Sequence, residues 1–182
     1  MAEMQILSCY TSVCPPARWA MAAHAPEAQT VDVRNSPFAY WHEISKRWGK
    51  GTDLVTIEHD IEIHENVMPT FRSCTGLWCV FPYEIHERGQ WLDFGMGCTR
   101  FRAEAQTLVS TETISSKPGS CFICKGEPGC WMHIDCKIYW AMTEAGIERC
   151  VHWPEVTHHG VRGEPKEEKR WHKIAPLEAS GD

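Results

Sequence analysis

Two acidic side chains and a histidine follow directly after an apolar run in the stretch LVTIEHDIEI, positions 54–63. In an extended chain, Glu58 and Asp60 point to the same side because side chains alternate with period two. Two carboxylates on one side repel each other unless a proton or a cation lies between them. Hard oxygen ligands favour Mg²⁺ or Mn²⁺, which also bind substrate phosphates. The pattern therefore predicts a metal–diphosphate site; the simpler alternative is that both carboxylates are solvated where a strand becomes a loop.

A second group of potential ligands lies in CFICKGEPGCWMHIDCKI, positions 121–138. It offers the soft ligands that zinc prefers in tetrahedral sites, namely Cys121, Cys124, Cys130, His133 and Cys136. A second C-x2-C pair is missing from this stretch, and the simpler interpretation is a set of ordinary buried or loop thiols. A cysteine nucleophile, Cys130 or Cys136 beside His133, is a further option, although nothing in the sequence specifies an oxyanion hole.

Composition limits the classes of protein to which the chain can belong. With 182 residues, 43% of them hydrophobic, it can form one well-cored domain. A net charge of −6 without a long basic run argues against indiscriminate nucleic-acid binding, which needs Lys and Arg to neutralise phosphates. No window approaches the roughly 18 uninterrupted apolar residues of a membrane span. The N-terminal residues do not resemble a secretion signal, so we expect a cytoplasmic protein with reduced thiols.

Strand and helix patterns alternate along the chain, which predicts a single α/β domain with a mixed, mainly parallel sheet flanked by helices. The strand patterns are MQILSCY, AQTVDVR, DLVTIEHDIEI and GLWCVFPYEI. SPFAYWHEISKRWGKG predicts a helix with Ser36 as N-cap and Pro37 at its first position. CWMHIDCKIYWAMTEAG predicts another, ended by Gly146. We expect a loop from Thr111 to Gly129, and close backbone approach at the two glycines of DFGMGC.

Ligands bind beyond the carboxyl ends of the strands in open α/β sheets. Here the acidic triplet EHD is followed by a strand, a glycine-bearing segment DFGMGCTRF, an aspartate near a helix start in CWMHIDCKI, and two histidines in WPEVTHHG. This order of features resembles the GT-A-type glycosyltransferases that use nucleotide sugars, and looks most like compact phage or bacterial members. The resemblance extends in layout from about Gln5 to Gly160, while its specific motifs occupy a few short windows.

The resemblance implies a metal-dependent transfer of a sugar from a nucleotide-diphosphate sugar to an acceptor, with inversion. Glu58 and Asp60 would match the acidic motif that holds Mn²⁺ or Mg²⁺ and the diphosphate, although Glu58 stands where the family pattern has aspartate. Asp135 would be the general base. His158 or His159 would complete the metal shell.

The resemblance also implies a donor pocket in the N-terminal half, which is compressed here. Asp32 would meet the nucleotide base or ribose, and Arg18 the diphosphate. Trp78, Trp91 or Trp131 would provide an apolar platform for the sugar or for the acceptor, which could be a glycan, a protein or a modified nucleobase. Residues 1–160 would form the transferase domain, and residues 161–182 a charged tail.

Two other functions compete with sugar transfer. One is a small phage-type protein with a degenerate transferase fold that binds a host protein without catalysis. A filled donor pocket and an exposed tryptophan-rich patch would favour this function, whereas an open pocket around Asp32, with Glu58 and Asp60 converging on a metal, would favour the enzyme. The other is a zinc-dependent hydrolase, for which the chain has ligands but no H-E-x-x-H signature.

Overall fold

The computed structural model describes residues 3–12, 14–34, 36, 38–84, 91–118 and 134–159. The strands are β1 (Met4–Tyr10), β2 (Gln29–Asp32), β3 (Asp53–Ile57), β4 (Ile61–Glu62), β5 (Trp78–Val80), β6 (Tyr83–Glu84), β7 (Trp91–Leu92), β8 (Cys98–Phe101), β9 (Arg149–Val151) and β10 (Thr157–His158). The helices are α1 (Pro15–His24), α2 (Ala39–Arg47), α3 (Val67–Ser73), α4 (Ala103–Leu108), α5 (Thr111–Ser116) and α6 (Ile134–Glu144).

A six-stranded sheet in the order β2-β1-β3-β8-β5-β9 forms the centre of the molecule. The pairs β1–β2, β1–β3 and β5–β9 are parallel, whereas β8 is antiparallel to both of its neighbours. Five of the six strands therefore run in one direction, and the predicted α/β fold with a mixed, mainly parallel sheet is confirmed. The short strands form two small antiparallel pairs, β4–β10 and β6–β7.

Strand β3 lies in the middle of this sheet, and all five of its residues are buried. Leu54 packs in a core cluster with Ile44 of α2 and Ile138 of α6. Val55 packs in a second cluster with Phe71 of α3. Because successive side chains of a strand point to opposite faces, the apolar run has to be covered on both sides. The predicted burial on both faces is confirmed.

The segment that we predicted to be a loop begins with a helix, α5. Ser110 is its N-cap, and its hydroxyl oxygen accepts a hydrogen bond from the Thr113 backbone N–H at 3.1 Å. Ile114 of the same helix is fully buried. The loop prediction was wrong over Thr111–Ser116 because a cap and one buried side chain are enough to stabilise so short a helix. The predicted loop from residue 119 onward lies outside the described residues.

The ends of the two long predicted helices behave differently. α2 starts at Ala39 with Phe38 as its N-cap residue, so Ser36 is not the cap that we predicted. Its hydroxyl instead accepts a hydrogen bond from the Phe38 N–H at 3.1 Å, in the turn before the helix. Just beyond α6, Gly146 has φ 72°, a left-handed conformation typical of glycine after a helix.

In the part of the chain that the structure describes, no helix is long and apolar enough to cross a membrane.

Candidate active site

The acidic triplet lies in a tight turn at the carboxyl end of β3. The Glu58 N–H donates to the Gly97 carbonyl at 2.8 Å, and the Ile61 N–H donates to the Glu58 carbonyl at 3.1 Å. The predicted extended conformation was therefore wrong at Glu58 and Asp60. Asp60 is only 3% exposed and Glu58 is half-buried, which also contradicts the alternative of two solvated carboxylates. Charged groups are rarely buried in this way without a partner.

The two candidate histidines have different partners. The His158 ring lies next to Asp60, with Nε2 at 3.2 Å from the Asp60 Oδ2 atom. The ring of His159 points instead to Glu62, at 2.7 Å between Nε2 and Oε2. β10 pairs with β4 and ends at His158, whereas His159 lies in the turn that follows, where its N–H donates to the Asp60 carbonyl at 2.9 Å. The structure thus places His158, and not His159, beside the acidic turn.

The other ring nitrogen of His158 determines what Nε2 can do. Nδ1 lies 3.1 Å from the Glu84 carbonyl oxygen. A carbonyl can only accept a hydrogen bond, so Nδ1 carries the hydrogen. In the neutral ring, the Nε2 lone pair then faces the Asp60 carboxylate. Two electron-rich atoms at this distance require a proton or a cation between them, and a backbone carbonyl behind a histidine is the usual way to orient a metal ligand.

A third carboxylate, that of Asp135 in the first turn of α6, lies close to the acidic turn. The Asp135 Oδ1 atom accepts a hydrogen bond from the Met96 N–H at 2.6 Å. Burial raises the pKa of Asp135 to about 6, although the Met96 and Asp135 backbone N–H groups act in the opposite direction. The structure therefore brings Asp135 to the acidic turn from a position 75 residues farther along the chain than Asp60.

The carboxylates of Asp60 and Asp135 both affect the pKa of Glu58. Its pKa is well above the usual range because the loss of surrounding water disfavours the charged form and because Asp135 and Asp60 carry like charges nearby, while a hydrogen bond from Tyr40 acts in the opposite direction. A carboxylate whose pKa is raised by burial and by two like charges is a common feature of functional sites. Such a cluster of carboxylates binds a proton or a cation more strongly than an isolated carboxylate does.

Tyr83 fills the space behind this cluster and explains the glycines of DFGMGC. A Cβ atom at Gly97 would lie 2.5 Å from the Tyr83 Cε1 atom, and one at Gly95 would overlap with the Tyr83 hydroxyl and with Leu92. The Tyr83 ring also packs against His158, with 5.4 Å between ring centroids. The predicted close approach at the two glycines is confirmed, and the groups that approach them are this tyrosine and, at Gly95, also Leu92.

Gly97→Ala is therefore expected to destabilise the protein by about 1–3 kcal/mol, the usual cost of overpacking a core. Urea unfolding measures this change. In a Tyr83→Ala background the added methyl group has room, so the same substitution should then cost little. An equal cost in both backgrounds would show that Tyr83 is not the group that excludes a side chain at position 97.

A cavity of about 390 Å³ opens beside the acidic turn. It lies at the carboxyl end of β1 and along α1, and its walls include Tyr10, Ser12, Arg18, Thr30 and His59. β2 and β3 lie on opposite sides of β1, and a crevice where the strand order reverses in this way is the usual ligand site of an open α/β sheet. Sequence reasoning did not assign a role to His59, although it stands between the two candidate metal ligands.

Arg18 and Asp32, the two residues predicted to contact the donor, are placed differently. Arg18 lies on the wall of the cavity. Asp32 is not among the lining residues, and its carboxylate forms a two-pronged ion pair with the Arg34 guanidinium, which lowers the pKa of Asp32. The cavity therefore opens around Arg18, and the contact of Asp32 with the donor stays a prediction.

The candidate platform tryptophans also differ in exposure. Trp78 is 1% exposed and belongs to the core, so it cannot stack against a ligand. Trp91 is 46% exposed, and its ring lies 6.2 Å from that of Trp153, which is 64% exposed and was not predicted. Trp91 pairs with Glu84 across the β6–β7 ladder, and the Glu84 carbonyl is the group that contacts the His158 ring. The two exposed tryptophans therefore lie on the His158 side of the site.

The predicted zinc cluster falls largely outside the described residues. Cys121, Cys124, Cys130 and His133 all lie there, as does Trp131. Cys136 is half-buried on α6. The predicted tail from residue 161 lies outside the described residues as well.

No family model and no curated protein matches the sequence. Among solved structures, the fold is similar to a glycosyltransferase involved in the glycosylation of the major capsid of PBCV-1, with a TM-score of 0.50 and 10% identity over 92% of this chain and 98% of that one. It is also similar to A197 from STIV, with a TM-score of 0.49 and 14% identity over 86% of this chain and 83% of that one. At these identities the comparison establishes a glycosyltransferase-like fold, without showing the activity.

Proposed function

We propose that the protein is a metal-dependent glycosyltransferase of GT-A type, which transfers a sugar from a nucleotide-diphosphate sugar to an acceptor hydroxyl with inversion. The observation that carries this proposal is the convergence of Asp60, Glu58, His158 and Asp135 beside an open cavity at the carboxyl ends of β1 and β3. The similarity to a viral glycosyltransferase supports the fold on which this chemistry would take place.

Glu58, Asp60 and His158 would hold the divalent cation. Two carboxylates and one imidazole suit Mn²⁺ better than Mg²⁺, because Mg²⁺ prefers oxygen ligands throughout. When bound there, the cation supplies positive charge for the leaving diphosphate. The Glu84 carbonyl would keep the Nε2 lone pair of His158 directed into the site.

Arg18 would provide the protein's own positive charge for the diphosphate. The start of a helix normally offers free N–H groups to phosphates. Pro15 and Pro16 occupy the first two positions of α1 and have no N–H to donate. The side chain of Arg18, one turn farther along α1, is therefore the main anion-binding group that this helix presents to the cavity.

Asp135 would accept the proton of the acceptor hydroxyl. A general base works best when its pKa lies near the working pH, and burial brings the pKa of Asp135 to about 6. The Met96 N–H fixes one carboxylate oxygen at 2.6 Å, so the side chain is held in one orientation. Trp91 and Trp153 would stack against the acceptor, since sugars and bases both present flat apolar faces to aromatic rings.

Calorimetric titration with a panel of nucleoside diphosphates, with and without Mn²⁺, tests this proposal. We expect one nucleoside diphosphate to bind only when Mn²⁺ is present. Arg18→Gln should weaken its binding about tenfold, which corresponds to the loss of one charge-assisted hydrogen bond. The matched control is Arg72→Gln, which removes a guanidinium from a different cavity at the amino ends of the strands.

A parallel assay follows the release of nucleoside diphosphate from the sugar donor that corresponds to the bound nucleotide. Binding without any release would support a donor site that lacks its acceptor. If no nucleoside diphosphate binds at millimolar concentration, the transferase is excluded. The function to test next would then be the non-catalytic binding of a host protein, with the exposed Trp91–Trp153 pair as the candidate surface.

A further inference from the structure

Three thiols and an imidazole meet at the edge of the sheet, at a place that the proposed transferase does not use. Cys79 of β5 and Cys150 of β9 are register partners on neighbouring parallel strands. His152 follows Cys150 by two residues, so in the strand direction it points to the same face. Cys74 arrives at this face from the carboxyl end of α3, where it is the C-cap residue.

Three of these four side chains have ligand atoms close enough together to bind one ion. The ligand atoms of Cys74, Cys79 and His152 all lie within 4.8 Å of one another, and the Cys74 and Cys79 sulfur atoms are 3.0 Å apart. Cys150 forms hydrogen bonds with both of these thiols. Metal–sulfur bonds of about 2.3 Å in a tetrahedron separate two sulfur ligands by about 3.8 Å. The Cys74 and Cys79 sulfur atoms would therefore have to separate by about 0.8 Å to share one ion.

Two features of the surroundings favour a bound cation over four unrelated side chains. The His152 Nε2 atom is buried and has no hydrogen-bond partner among the described residues, which is costly for a polar atom. A side chain at Gly76 would collide with the Cys150 sulfur and would lie 3.4 Å from the Cys74 sulfur. The glycine therefore leaves room where the sulfur atoms converge.

Arg100 supplies the charge that such a centre requires. This side chain is only 2% exposed, and its guanidinium donates to the Cys79 sulfur at 3.2 Å and to the Cys74 and Gly76 carbonyls at 2.9 and 2.7 Å. Three thiolates around a divalent ion carry one net negative charge, which a buried guanidinium balances. Hydrogen bonds to the ligands from a second layer of residues are typical of protein metal sites.

We propose that Cys74, Cys79, Cys150 and His152 form a structural zinc site that ties the edge strand β9 to β5 and to the end of α3. Thiolate and imidazole ligands select zinc over Mn²⁺ and Mg²⁺, so this site and the acidic turn would hold different metals. Four protein ligands leave no open position, as in structural zinc sites. The proposal is independent of the transferase activity.

Metal analysis of the full-length protein, purified under reducing conditions, tests the proposal. We expect about one zinc per chain to be associated with these ligands, and one equivalent to be lost in Cys79→Ser and in His152→Gln. Cys124→Ser is the matched control, because it removes a thiol of the separate 121–136 cluster and should leave this equivalent in place. Cobalt substitution of the wild-type protein should produce a sulfur-to-metal charge-transfer band, which needs no variant to fold.

Three results would overturn the proposal. The first is a fully reduced, zinc-supplemented wild-type protein without zinc and without the cobalt band. The second is full zinc content in Cys79→Ser together with its loss in Cys124→Ser, which would place the ion in the 121–136 cluster. The third is a Cys74–Cys79 disulfide in freshly isolated protein, which would make the pair a redox couple instead of a metal site.

Discussion

Asp60→Asn is expected to lower donor turnover at saturating Mn²⁺ by about 10³-fold or more, because a catalytic metal contributes several kcal/mol of charge stabilisation and about 4 kcal/mol corresponds to a thousandfold rate. The substitution keeps the shape of a buried side chain that lies 3.2 Å from His158 and removes only its negative charge. Release of nucleoside diphosphate from the sugar donor measures the rate, and calorimetry should show that Mn²⁺-dependent nucleotide binding is lost in parallel.

Glu62→Gln provides the matched control for Asp60→Asn. Glu62 lies two residues farther along the chain and pairs with His159 instead of His158. We expect this variant to keep turnover within a few-fold of the wild type, because exposed charge pairs contribute little.

The metal-free Asp60→Asn protein should also unfold at no lower urea concentration than the wild type, since one of three like charges is gone. Full turnover in Asp60→Asn would show that Asp60 is not a ligand of the catalytic metal.

Asp135→Asn is expected to lower kcat by about 10²–10⁴-fold, the usual contribution of a general base. Mn²⁺ and nucleoside diphosphate should still bind with nearly wild-type affinity, since Asp135 would act on the acceptor. The asparagine carbonyl can still accept the hydrogen bond from the Met96 N–H, so the side chain keeps its place. Steady-state kinetics with saturating donor separate this effect from that of Asp60→Asn, which should weaken binding as well.

The same substitution should stabilise the metal-free protein at neutral pH. Burial raises the pKa of Asp135 from 3.8 to about 6, so the unfolded chain releases this proton at a lower pH than the folded chain does. The contribution of Asp135 to stability is therefore greatest below about pH 4 and declines as the pH rises through about 6. At pH 7 the charged group disfavours the fold by roughly 1–3 kcal/mol.

Urea unfolding in the presence of a chelator measures this difference. Asp135→Asn should be more stable than the wild type at pH 7, and the two should converge as the pH falls towards 4. Addition of Mn²⁺ should reduce the advantage of the variant, because the cation relieves the repulsion among Glu58, Asp60 and Asp135 in the wild type. A variant that is less stable than the wild type at pH 7 would show that Asp135 is held by contacts that favour its charge, against the burial that we describe.

Local patterns were sufficient to predict the central elements of the fold. The apolar run of β3 has to be covered on both faces wherever it lies in the fold. Its length and hydrophobicity therefore already specified a strand in the middle of a sheet. A carboxylate follows directly after such a strand, and Asp135 stands in the first turn of a helix with a clear apolar face. For the same reason, the position of Glu58 and Asp60 at the sheet's carboxyl end was predictable. Their turn conformation was not, because it depends on the hydrogen bond from the Glu58 N–H to the carbonyl of Gly97, the residue before β8.

The choice between His158 and His159 illustrates what only the tertiary structure decided. His158 is the last residue of β10 and His159 follows it, and the position of these two residues against β4 determines which ring faces Asp60 and which faces Glu62. That position comes from the antiparallel pairing with β4, about a hundred residues earlier in the chain. The place of Asp32 was decided in the same way, since its partner Arg34 and the position of the cavity depend on how β2 lies against β1.

The thiol–imidazole group at the sheet edge shows the limit of sequence reasoning most clearly. Cys74 and Cys79 have the C-x4-C spacing of a possible zinc-ligand pair, but they lie about seventy residues before Cys150 and His152, and nothing in the sequence joins the two pairs. They meet because β9 joins the sheet parallel to β5 and places Cys150 opposite Cys79. One sequence specifies residue types and local periodicity, whereas the contacts between distant segments follow from which strands pair and in which register, and those contacts assemble both proposed metal sites.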